Sequence, residues 1–136
     1  MKERLNDKIK EIQEFLDFLE PRIPNNLEKK AICERYAEKI IEAIVDLAFL
    51  TIRYFKIEIP AQTADTEIFD ILAEKNIISK NLSENLKEAK GMRNIITHEY
   101  GRIDDSIIYE AVKNQLPEDT KEFLSNIVEK IKWFQK

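Results

Sequence analysis

Glycine is nearly absent from this chain, with two in 136 residues, Gly91 and Gly101. So little glycine, four prolines and 35% charged residues, many of them Glu and Lys, point to helices joined by short connections. One cysteine, Cys33, excludes an internal disulfide, and its helix-forming neighbours suggest a buried, reduced thiol. No apolar run is long enough to span a bilayer, because the most apolar one, Ala43 to Leu50, is short and interrupted by Asp46. The opening MKERLNDKIK lacks the apolar stretch of a signal peptide, so a soluble, cytoplasmic protein with no membrane partner is expected. One histidine and one distant cysteine do not make a metal-ligand cluster, and no cofactor is indicated.

A basic face is also missing. A net charge of −4 and a pI near 5.2 argue against a general nucleic-acid binder. They do not argue against an enzyme that grips one or two phosphates in a local positive pocket. With 43% hydrophobic residues there is apolar material for one core, read as a single domain over residues 1–136.

Helical periodicity accounts for most of that material. Leu5, Ile9, Ile12, Phe15, Leu16 and Leu19 predict an amphipathic helix over residues 4–20, ended by Pro21, Pro24 and Asn25-Asn26. A second helix is expected from Leu27 to Phe55. Its segment Ile40 to Ile52 is apolar nearly all round, which marks a central helix or one buried by a partner chain. Phe55, Ile57 and Ile59 alternate faintly before Pro60, and are read as an extended connector. A short helix over residues 66–75 has Thr63, Asp65 or Thr66 available as its cap, and Ser79 caps a fourth. That helix runs into the histidine block and stops at Gly101. A fifth is expected from Asp104 or Asp105 to Gln115, restarting at Pro117 with Glu118 and Asp119 in its first turn. The fold class is all-α, an up-and-down bundle of about five helices.

The two glycines bracket Arg93-Asn94-Ile95-Ile96-Thr97-His98-Glu99-Tyr100, which holds the single histidine. On a continuous helix Arg93 and Tyr100 fall about 20° apart, whereas His98 lies about 140° from Arg93. The two meet only if the helix unwinds near Thr97 to Gly101 or if a second subunit completes the site. The chemistry that fits these side chains is RNA cleavage without a metal. His98 can take a proton from a 2′-hydroxyl or give one to the leaving 5′-oxygen. Arg93 presents a planar fork of donors to the phosphate, and Tyr100 can orient it or stack on a base. One histidine cannot easily be acid and base in a single step, which a two-fold dimer with two such blocks in one cleft would relieve.

A polar stripe crosses the apolar second helix, where Arg35, Glu42, Asp46 and Arg53 fall within about 20° of one line. It reads as a solvated face, or as a lining of a dimer cleft in which Asp46 orients His98 or pairs with Arg93.

The block Gly91-Met92-Arg93-Asn94-Ile95-Ile96-Thr97-His98-Glu99-Tyr100 resembles the Arg-x4-His-x-Tyr motif of the HEPN superfamily, and within it the HepT toxin family. Asn94 also fits the superfamily pattern. Arg35-Tyr36-Ala37, Glu42 to Ala48, Phe69 to Leu72, Asn76 to Ile78 and Tyr100 to Asp104 are similar to other segments of the family, so the resemblance covers most of the chain. It implies a homodimeric bundle with the motif in a cleft between subunits. Arg93 and His98 would be catalytic, and Asn94, Tyr100 and Asp46 supporting. The implied activity is that of a ribonuclease toxin paired with an MntA-type nucleotidyltransferase antitoxin, which transfers AMP to Tyr100 and silences it. A second reading stays open, in which the bundle is a non-catalytic binding subunit of the nucleotidyltransferase.

Overall fold

Leu5, Ile9, Ile12, Leu16 and Leu19 are buried along one face of the first helix, α1 (Lys2–Leu19). The same 3.6-residue logic builds α2 (Lys30–Tyr54), α3 (Glu67–Glu74), α4 (Lys80–His98) and α5 (Leu116–Phe134). The structure, a computed structural model, describes residues 2–20, 30–98 and 115–134, with side chains for 2–20, 34–92 and 115–132. Among these residues there are five helices and no strand, an all-α up-and-down bundle. The expected first turn at Pro21 to Asn26, the helix from Asp104, and Tyr100 and Gly101 lie outside the described residues.

α2 is the axle of the bundle, packing against α1, α3, α4 and α5. Ile40, Ile41, Ala43, Ile44, Val45, Leu47, Ala48, Leu50 and Ile52 are all buried by the chain itself. The segment is therefore a central helix, and its apolar surplus leaves no large face for a second subunit. Each buried Ile, Leu or Val among them contributes about 1.5–3 kcal/mol, so truncating Leu47 to alanine would cost about 2–5 kcal/mol. Phe69 of α3 meets Phe123 of α5 edge to face at 6.3 Å, closing the core on that side.

The helix ends show how a glycine-poor chain turns. Lys56 and Asn76 both take positive φ, 56° and 62°, just past α2 and α3. Behind Lys56, its own amide donates to the Arg53 carbonyl (3.1 Å) and the Ile57 amide to the Ile52 carbonyl (3.0 Å). Asn76 and Ile77 repeat the pattern onto Ala73 (3.0 Å) and Leu72 (2.9 Å). Both ends are Schellman motifs with a left-handed residue where glycine is usual.

The starts are mixed. The Leu82 amide donates to Ser79 Oγ at 3.0 Å, the cap expected for α4. For α3 the capping expectation fails. Thr66 has helical dihedrals and makes no side-chain cap bond, and the Thr63 hydroxyl donates instead to the Pro60 carbonyl at 2.6 Å. Pro117 sits second in α5, within the first turn, where a missing N–H costs nothing.

Candidate active site

α4 carries the histidine block, and its backbone settles one question about it. The helix is continuous from Lys80 through Gly91 to His98. Arg93 and His98 are therefore separated by about 140° about one axis, with no unwinding between them. Arg93 falls in register with buried Leu86, one heptad earlier, and His98 in register with exposed Gly91. A Cβ built on Gly91 would meet nothing within 4 Å. Among the described residues no backbone closes on that glycine.

Asn94 shares the same stretch of α4, while Tyr100 lies beyond the described residues. Asp46 stands on α2, its side chain 62% exposed and 3.6 Å from Lys8 of α1. Lys8 also binds Glu11 at 2.9 Å. That hydrogen bond raises the Lys8 ammonium above its ordinary value, burial opposes the rise, and the Glu11 and Asp46 charges add to it. Within the subunit Asp46 thus serves an α1–α2 ion pair. Arg35, Glu42 and Arg53, the rest of the stripe, are exposed as well.

Polar ties that sequence spacing did not suggest hold α4 on two sides. Ser83 Oγ and Lys87 Nζ both donate to Asp70 of α3, at 3.3 and 3.1 Å. Asn85 Nδ2 donates to Asp119 of α5 at 3.3 Å, and Gln115 Nε2 reaches the same carboxylate at 3.0 and 3.2 Å. Asp119 is 4% exposed, so these donors replace the water it gives up. Lys90 Nζ lies 3.3 Å from Asp65 Oδ2, one turn before Arg93. Among the described residues no group of three or more His, Cys, Asp or Glu side chains is placed to hold a metal ion. No described helix is long and apolar enough to cross a membrane.

A helical bundle whose fourth helix ends in Arg-x4-His defines a HEPN-like protein. Residues 5–127 match the family described as Ribonuclease HepT-like, and the chain belongs to that family. It is 34% identical over 90 residues to the mRNA nuclease HepT of Shewanella oneidensis, a match spanning 66% of this chain and 65% of that protein. It is 25% identical over 130 residues to a putative RNase of Archaeoglobus fulgidus, spanning 96% of this chain and 92% of that one. Its fold is similar to that of a tri-AMPylated HEPN toxin of Shewanella oneidensis, solved in complex with an MNT antitoxin. There the TM-score is 0.81 at 24% identity, covering 95% of this chain and 99% of that one.

Proposed function

We propose that this chain, a single helical domain over residues 1–136, is a metal-independent endoribonuclease and the toxin of a toxin–antitoxin pair. The observation that carries the reading is the complete Arg93-x4-His98-x-Tyr100 set at the end of α4 in a chain of the HepT-like ribonuclease family. His98 takes the proton of a 2′-hydroxyl, whose oxygen attacks the adjacent phosphorus. The bond to the 5′-oxygen breaks, that oxygen accepts a proton, and a 2′,3′-cyclic phosphate remains. Arg93 binds the non-bridging oxygens as charge builds on them.

The acid and the base come from two copies of the motif in a two-fold homodimer. The continuous helix supports this, since it keeps Arg93 and His98 of one subunit on different sides. Asn94 supports Arg93. Asp46, itself exposed, supports the site by exchanging its Lys8 partner for Arg93 or His98 across the cleft. The partner is an MntA-like nucleotidyltransferase that transfers AMP to Tyr100, and the pair acts in the cytoplasm, where its RNA is.

Purified protein is expected to cleave RNA in EDTA and to leave cyclic phosphate ends, with His98→Ala inactive. A Mg²⁺-dependent product ending in a 3′-hydroxyl overturns the mechanism. Absence of cleavage together with tight binding of the nucleotidyltransferase favours the non-catalytic binding subunit.

A further inference from the structure

We infer that Lys90 is a positioning residue for the motif, holding through Asp65 the turn of α4 from which Arg93 to His98 project. The inference rests on the ribonuclease reading only for its kinetic readout. Lys90 is 10% exposed at its side chain, and its ammonium lies 3.3 Å from Asp65, which is 52% exposed. Burying that ammonium costs desolvation, and a half-exposed carboxylate returns little of it, so an apolar residue of similar length is expected to be near neutral in stability. Stability alone gives no reason for lysine at this position.

Geometry supplies one. The residue after Lys90 is Gly91, exposed and with open space around it, yet the helix runs on unbroken to His98. A glycine inside a helix is a favoured point for bending. The Lys90–Asp65 pair sits immediately before that point and ties α4 to the turn that leads into α3. The earlier ties, Lys87–Asp70, Asn85–Asp119 and Ser83–Asp70, lie further from the motif on the same helix. Lys90 is thus the last polar anchor among the described side chains before the reactive residues. Releasing it lets α4 bend at Gly91 and carries Arg93 and His98 together out of the cleft between subunits.

The test compares wild type, Lys90→Met and the charge swap Lys90→Asp/Asp65→Lys by amide hydrogen exchange, RNA cleavage and thermal melting. Lys90→Met is expected to melt as wild type does while exchange at residues 92–98 rises about tenfold. Its kcat should fall about tenfold to a hundredfold, with KM changed less than about twofold, because misplacement taxes the transition state more than binding. The swap should restore both the protection and kcat. Exchange at residues 92–98 that stays at the wild-type level in Lys90→Met overturns the inference. So does a swap variant that melts normally without recovering protection. If wild type cleaves no RNA, the ribonuclease reading fails, and the exchange data alone decide the role of Lys90.

Discussion

Arg93 and His98 stand five residues apart on one unbroken helix, about 140° of rotation from each other. In the proposed mechanism the site draws on two subunits. Arg93→Ala and His98→Ala are each expected to lower cleavage about a hundredfold or more, with helicity unchanged. Wild type and His98→Ala refolded together in equal amounts should keep about one quarter of the activity of the same total of wild type, since only the wild-type dimers then hold both histidines. Retention of about one half would place the acid and the base within one subunit.

Gly91 tests the dimer from the other side. The apolar surplus of α2 is spent inside the chain, and the exposed large hydrophobic among the described residues is Val128, at 36%. The proposed dimer would then rest on a different surface, for which the open face at Gly91, in register with His98, is the candidate. Gly91→Leu is expected to weaken association while leaving the subunit's melting temperature equal or higher, because a new Cβ meets nothing within 4 Å. Light scattering that finds wild type as a 16.1 kDa monomer at micromolar concentration overturns the homodimer.

Helix content was legible because apolar residues recur at helical spacing from Leu5 to Leu19 and again through Ile40 to Ile52. The capping role of Ser79 was legible for a local reason, since its acceptor serves an amide three residues on. The stops of α2 and α3 were not, because the left-handed residues there are Lys56 and Asn76 rather than glycine. Nor were the ties on α4, where Asp119 meets Asn85 34 residues away and Asp70 meets Lys87 17 residues away. Such pairs depend on how helices pack and leave no periodic trace. The motif itself was visible as a pattern, but the pattern left open whether the helix unwinds before His98. The backbone answers that it does not.

Asp119 carries a stability prediction. Its carboxylate, 4% exposed, accepts from Asn85 and Gln115 and joins the start of α5 to α4. Asp119→Ala removes the acceptor of half-buried Asn85 and exposed Gln115 and should cost about 1–2 kcal/mol in urea unfolding. Asn85→Ala, which leaves the Gln115 bonds to Asp119 in place, should cost less. Equal stability of wild type and Asp119→Ala would show that the network contributes nothing.

Lys56 offers the opposite sign. At φ 56° its Cβ crowds the following carbonyl, a conformation costing an L-residue about 1–2 kcal/mol. Lys56→Gly relieves this but adds chain entropy to the unfolded state, so a net gain of about 0.5–1 kcal/mol is expected. The backbone bonds that close α2 should persist. A lower melting temperature in the variant would mean that the Lys56 side chain contributes more than its strain costs.

Tyr100 is the position proposed to control the activity. It follows His98 by two residues, just past the described end of α4, and this closeness in sequence motivates the proposal. An AMP group on its hydroxyl would bring a negative phosphate and a nucleoside beside the residues proposed to bind and cleave RNA. The phosphate would engage the guanidinium of Arg93 that substrate needs, and the nucleoside would occupy the cleft, so inhibition requires no refolding. The competing account is inhibition by antitoxin binding alone, with Tyr100 left to orient substrate. Incubation with an MntA-like nucleotidyltransferase and ATP, followed by intact-mass measurement, separates the two. Wild type should gain AMP and stay inactive after the partner is removed, whereas Tyr100→Phe should gain none and remain active when the partner is stripped away. If wild type gains no AMP, or Tyr100→Phe gains as much, control lies in the complex and not in the tyrosine.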